Sequence, residues 1–248
     1  MTSHPSRRAF LTGLGLTAGA ALAGCAPSGP RARIIGMSAF DGQGGASVYD
    51  SNPASSYGAP SARYREMYDA MFDEGYRIPA INLSRVDPIY YRREVADPTG
   101  EAPGTVVVDT ANKFAYVVQP GGRAMRYGVG VGRAGMEWSG RAKIQWKKKW
   151  PTWTPPAEMI ARKPELAEYS AANGGMEPGI GNPLGARALY LFQNGKDTLY
   201  RLHGSPEYWT IGTNDSSGCI RFMNQDIIDL YDRVPSGSQV LVRQGGIV

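Results

Sequence analysis

The sequence predicts a mainly β domain carried on a flexible tether, with a few short helices. Thirty-two Gly and eighteen Pro among 248 residues disfavour a coiled coil or helical bundle and favour short strands joined by turns. From Gly104 onward, runs rich in β-branched and aromatic residues alternate with turn signals. Ala26 to Ala62, by contrast, is rich in Gly, Ser, Ala and Pro and shows no apolar period, the composition of a tether.

The N-terminus reads as targeting rather than structure. Arg7-Arg8 precedes an apolar run from Leu14 to Ala23 that ends in Leu22-Ala23-Gly24-Cys25. The paired arginines resemble a twin-arginine export signal, and the final four residues resemble a lipobox in which Cys25 is lipidated. The expected organisation is a signal peptide at 1–24, a lipidated Cys25 and flexible linker at 25–62, an N-terminal extension at 63–103 and a catalytic domain at 104–244. An exported, periplasmic protein, lipid-anchored to the outer membrane because Ala26 follows Cys25, is expected. Its membrane contact would run through the lipid alone.

Within the extension, Tyr64, Met67, Tyr68, Met71 and Phe72 have helical spacing and predict an amphipathic helix from Arg63 to Glu74, stopped by Gly75. Thr105–Asp109 and Phe114–Gln119 predict a hairpin, and Gly121-Gly122 leads into a strand from Ala124 to Val131. Lys143–Trp150 alternates, with Ile144, Trp146 and Lys148 on one face. Arg187–Phe192 and Asp197–Leu202 predict a second hairpin across Gln193-Asn194-Gly195-Lys196. Helices are expected near Pro156–Arg162, extending towards Tyr169, and over Gln225–Arg233. In the latter, Ile227, Leu230, Tyr231 and Val234 share a face, Asn224 can cap, and the Asp226 carboxylate suits the first turn. Ser238–Val242 closes the domain as a strand.

Two motifs carry less than their letters suggest. Gly130-Val131-Gly132-Arg133-Ala134-Gly135 matches G-x-G-x-x-G, but the turn-like Met136-Glu137-Trp138-Ser139-Gly140 follows it where a dinucleotide site needs a helix. Trp146-Lys147-Lys148-Lys149-Trp150-Pro151-Thr152-Trp153 interleaves bases and aromatics. Export argues against nucleic acid, which leaves a solvated strand face or contact with a sugar–peptide polymer. A formal charge of +5 is modest and implies no nucleic-acid partner.

Two His and two Cys in the whole chain are too few for a Cys/His zinc site, so no metal is expected. Removal of the signal and lipidation of Cys25 leave His203 and Cys219. His203-Gly204-Ser205-Pro206 ends a strand pattern, and Ser216-Ser217-Gly218-Cys219-Ile220-Arg221 forms a sharp turn that can present sulfur. A thiol becomes an efficient nucleophile when an imidazole takes its proton or stabilises the thiolate, and fast alkylation near neutral pH would then be expected. Backbone N–H groups at Gly218 and Cys219 could face an oxyanion.

These residues resemble the YkuD-type L,D-transpeptidase catalytic domain, whose signature is a His followed by Ser/Thr-His-Gly-Cys. His203, Gly204, Ser217, Gly218, Cys219 and Arg221 match, and Ser217 stands directly before Gly218, so the second His is absent. The resemblance extends over about Gly104 to Val242, including Gly128 to Gly132, Trp150 to Pro156 and Asn182 to Tyr190. It implies a sandwich of packed, mixed sheets and action on peptidoglycan stem peptides without cofactor. It further implies Cys219 as nucleophile, His203 as acid and base, and the Gly204 carbonyl as orienter of His203. The oxyanion side falls to Ser217 and Gly218, and substrate contacts to Arg221, Tyr190 and Trp209. Arg221 could equally bond the Cys loop. The acceptor could be a second stem's amine, giving a 3→3 cross-link, or a lipoprotein lysine, a D-amino acid or water. A carboxypeptidase, another cysteine hydrolase of the cell wall and a non-catalytic wall-binding lipoprotein are the alternatives.

Overall fold

The computed structural model describes residues 60–132, 138–214 and 219–247. The expected signal segment, Cys25, most of the expected tether, Arg133 to Glu137 and Ser216 to Gly218 lie outside the described residues. Those from Pro60 to Ile247 fall within one compact unit.

The chain enters through α1 (Ala62–Met67), then a two-stranded hairpin of β1 (Met71–Asp73) and β2 (Tyr76–Ile78). The helix expected to reach Glu74 therefore stops seven residues early. Glu74 and Gly75 both take positive φ, 49° and 88°, the two-residue turn that matches the twist of paired strands. The Asp73 carboxylate is drawn across to Arg187, with Nη1 and Nη2 at 2.6 and 2.7 Å, and it also accepts from Trp150 Nε1 at 2.7 Å. Long-range bonding thus overrides helical periodicity.

Among the described residues, ten strands then form one continuous ladder: β3 (Arg93–Ala96), β4 (Val106–Asp109), β5 (Phe114–Gln119), β6 (Arg123–Gly128), β7 (Gly130–Val131), β8 (Gly140–Lys149), β9 (Arg187–Gln193), β10 (Lys196–Ser205), β11 (Ile220–Met223) and β12 (Gln239–Arg243). Their order is β3-β6-β5-β4-β12-β8-β9-β10-β11-β7. The β4/β12 and β10/β11 pairs are parallel and the others antiparallel, so the sheet is mixed. One core draws Val106, Val117 and Tyr127 from one half of the ladder and Ile144, Leu191, Leu202 and Phe222 from the other. The ribbon therefore folds over itself into two layers, as sheet twist allows.

Helices α2 (Ala157–Arg162), continued by a 3₁₀ turn over Pro164–Tyr169, and α3 (Asn224–Arg233) flank the ladder. Ile227, Leu230 and Val234 of α3 enter the core, with Tyr231 packed against it, as its periodicity predicts. Its start differs from expectation. Asn224 is the first helical residue rather than the cap, and its Oδ1 accepts from Ala186 N at 2.9 Å, joining helix to sheet. Asp226 is fully buried, where it accepts from Tyr68 Oη at 3.2 Å and faces Arg92 Nε at 3.7 Å. Arg92 reaches Asp229 as well, at 3.1 Å, so the extension is tied to α3 by charge.

The alternation of β8 breaks at Gln145. Ile144 pairs with Leu191 but Trp146 with Tyr190, a one-residue bulge. Downstream of it the faces exchange. Trp146, expected beside Ile144, points outward and is 44% exposed, while Lys147 turns inward and donates to the Tyr231 and Val234 carbonyls at 2.6 and 2.7 Å. Those carbonyls lie at the C-terminus of α3, so an inward cation closes the helix end. Gly130 lies in a strand antiparallel to β11, which is incompatible with a dinucleotide fingerprint.

Candidate active site

The β10–β11 register pairs Leu202 with Ile220, His203 with Arg221 and Gly204 with Phe222. Leu202, Ile220 and Phe222 are in the core, so His203, Arg221 and, one step earlier, Arg201 and Cys219 project from the opposite face. His203 and Cys219 are consequently diagonal neighbours on one face of adjacent strands, although sixteen positions apart in sequence. Strand pairing converts that separation into proximity.

His203 is 6% exposed. Its Nδ1 lies 2.6 Å from the Gly204 carbonyl oxygen. A carbonyl can only accept, so Nδ1 carries the proton and Nε2 is the free base. Burial lowers the imidazole pKa to about 4, with Arg221 and Arg201 adding to the effect and the Gly204 bond opposing it. Gly204 itself has no room for a side chain, since a Cβ would overlap Asn224 Oδ1 and lie 3.0 Å from Ile227 Cγ2.

Cys219 is a free thiol, partly buried, with Sγ 3.9 Å from the Leu199 carbonyl. Burial pushes its pKa up, against the backbone N–H and charge of Arg201. Burial thus favours the neutral form of both the thiol and the imidazole. The carbonyl of Cys219 accepts from Gly132 N at 3.2 Å, anchoring the Cys219 backbone to the end of β7.

Leu199, whose carbonyl faces the thiol, sits at an irregularity of β10. Between Asp197 and Arg201 the register of β10 against β9 shifts, and Leu199 takes φ 64° with its side chain 76% exposed. Asp197 accepts from Leu199 N at 2.8 Å and from both Arg201 terminal nitrogens at 2.7 Å. Burial raises the Asp197 pKa, but the Arg201 and Leu199 bonds outweigh it and hold the group low. No local sequence signal marks this bulge, because Asp197 and Arg201 at i, i+4 read as a helical pair.

Arg221 is buried, with Nη1 3.1 Å from Glu207 Oε2, so its charge faces the 205–214 loop. That loop is built by its own bonds, from Glu207 N to Ser205 Oγ at 3.1 Å and from Thr210 Oγ1 to Glu207 O at 2.7 Å. The extension supports it from outside: Ile211 packs with Leu83, Val86 and Tyr91, and the Tyr90 ring fills the space where Gly212 would bear a side chain. Trp209 stacks over the Arg85 guanidinium at 4.5 Å and meets Tyr208 edge-on. Tyr190 is half-buried under the Arg201 guanidinium, 4.5 Å from its ring. Tyr190 and Arg201 thus adjoin Cys219, whereas Trp209 sits on the loop.

With this fold and site in view, the chain belongs to the YkuD family, the L,D-transpeptidase catalytic domain, whose family model matches residues 103–242. A probable L,D-transpeptidase, YbiS of Escherichia coli K12, is 33% identical over 144 residues, covering 54% of this chain and 43% of that one. The chain therefore spans less than half the length of that curated relative. Among solved structures, a Brucella melitensis protein described as a probable carnitine operon oxidoreductase is 45% identical, with a TM-score of 0.45, over 65% of this chain and 99% of that one. An L,D-transpeptidase from Mycobacterium smegmatis overlaps at 18% identity and a TM-score of 0.39, over 56% of this chain and 58% of that one.

Proposed function

We propose that this protein is a cysteine L,D-transpeptidase acting on peptidoglycan stem tetrapeptides. The observation that carries the reading is the His203 imidazole, fixed by the Gly204 carbonyl at 2.6 Å with Nε2 unprotonated, on the same strand face as the free thiol of Cys219. Cys219 exchanges its Leu199 contact for Nε2, passes its proton there and attacks the carbonyl of the L-centre of the diaminopimelate residue. Stabilisation of the tetrahedral oxyanion is assigned to backbone N–H groups of Ser217, Gly218 and Cys219. Collapse breaks the C–N bond, the D-Ala amine takes the proton from Nε2, and a thioester remains on Sγ. An acceptor amine attacks the thioester, His203 takes its proton, and the thiolate leaves and is reprotonated.

A second stem's side-chain amine gives a 3→3 cross-link, and a lipoprotein lysine gives attachment. Arg221 holds the loop beside the cleft through Glu207, and Tyr190 and Trp209 line its approaches. We assign the chain an exported, periplasmic location with Cys25 lipidated and residues 25–62 as the tether to the outer membrane. The extension at 63–103 packs on a catalytic domain at 104–244.

Intact-mass analysis of the purified protein with a stem tetrapeptide ending in diaminopimelate–D-Ala, beside Cys219→Ala, tests the reading. Loss of D-Ala together with a stem dimer, absent in the variant, is the expected result. Loss of D-Ala without a dimer favours the L,D-carboxypeptidase, and no Cys219-dependent change favours the wall-binding lipoprotein.

A further inference from the structure

The bulge at Gln145 has an outward consequence. By pairing, Trp146 stands beside Tyr190, Tyr190 beside Arg201, and Arg201, by extension of the β10–β11 register, beside Cys219. These four residues form one row across β8, β9, β10 and the residue that leads into β11, on the face opposite the core. The Trp146 ring packs against Phe192 at 4.7 Å and Tyr190 at 6.0 Å, leaving its outer face open, and Lys148 Nζ lies 5.9 Å from the Tyr190 ring. Had β8 kept its alternation, Trp146 would be in the core.

We propose that this row is a subsite for the glycan that carries the donor stem, with an N-acetylhexosamine ring stacked on Trp146. The inference rests on the transpeptidase reading above. Three strand-to-strand steps place Trp146 about 14 Å from Cys219. From the sugar's lactyl group to the diaminopimelate carbonyl runs L-Ala, a γ-linked D-Glu and the diaminopimelate backbone, about 13 Å when extended. The stem is therefore the right length to hold its carbonyl at Cys219 while its sugar reaches Trp146. An open indole presents the flat apolar surface that a pyranose C–H face covers, and Lys148 complements the free carboxylate of the D-Glu between them.

The test compares kcat/KM for D-Ala release from a disaccharide-tetrapeptide and from the sugar-free tetrapeptide, using full-length wild type, Trp146→Ala and Trp146→Phe with matched melting temperatures. The subsite predicts that the preference for the sugar-bearing substrate falls about tenfold in Trp146→Ala, equivalent to ~1.4 kcal/mol, and is largely restored in Trp146→Phe. An equal fall for both substrates, or none, overturns it. If the wild type releases D-Ala from neither, the transpeptidase reading fails separately. Fluorescence titration of Cys219→Ala with chitotetraose then decides the platform alone. A saturable change abolished by Trp146→Ala supports it, and no Trp146-dependent change overturns it.

Discussion

His203 donates its Nδ1 proton to the carbonyl of the next residue, Gly204, at 2.6 Å, so the ring is oriented by its own strand. Its pKa of about 4, set first by burial, keeps Nε2 free of a proton at neutral pH. The kcat/KM profile for D-Ala release should therefore be flat from about pH 5 to 8, with its acid limb near 4 and not at the ordinary imidazole value of ~6.5. Steady-state assays across that range check it, and a limb near 6.5 would refute the buried, neutral ring. His203→Ala should lose about 10²–10⁴ in rate.

The raised pKa of Cys219 predicts slow iodoacetamide alkylation at pH 7, with a rate that continues to climb above the ordinary thiol range near ~8.5. Mass-resolved labelling against pH reads this directly. A plateau below pH 7 would mean a thiolate–imidazolium pair.

Arg187 is 3% exposed in its side chain and gripped by Asp73 from the β1–β2 hairpin. Removing Asp73 leaves a buried charge unpaired, a change that costs about 3–5 kcal/mol. Asp73→Ala should lower the melting temperature by roughly 10 °C, and adding Arg187→Met should recover part of it. Burial raises the Asp73 pKa, but the Arg187 and Trp150 bonds outweigh it and hold the group low. Its contribution is thus present above the unfolded value of ~3.9 and disappears as pH falls through the lower folded value.

Asp226 has the opposite sign. Burial raises its pKa to about 7, against Arg92 and Tyr68 and with help from Asp229, so the folded state holds a proton that the unfolded chain releases near ~3.9. Stability from this group falls as pH rises from about 4 to 7 and is level above that. Melting curves of Asp226→Asn minus wild type should rise over that window, and a flat difference would place the carboxylate ionised in the fold.

Local chemistry made much of this protein legible. The segment Gln193-Asn194-Gly195-Lys196 announces the β9–β10 hairpin, which the fold tightens to a two-residue turn at Asn194 and Gly195 with φ of 51° and 76°. The apolar periodicity of α3 is realised at Ile227, Leu230 and Val234, and the scarcity of His and Cys singles out His203 and Cys219. These signals depend on neighbours in sequence, where backbone geometry sets the period. Other features depend on what lies across the fold. Helix α1 ends early because Asp73 finds Arg187, Asn224 leaves the cap position for Ala186 N, and Gln145 bulges where Lys147 can reach the carbonyls ending α3. At Leu199 the Asp197–Arg201 fork accompanies a left-handed residue beside the thiol. A single bulge reverses every side chain beyond it, so which residues face the core and which face the cleft was decided only when the strands were paired.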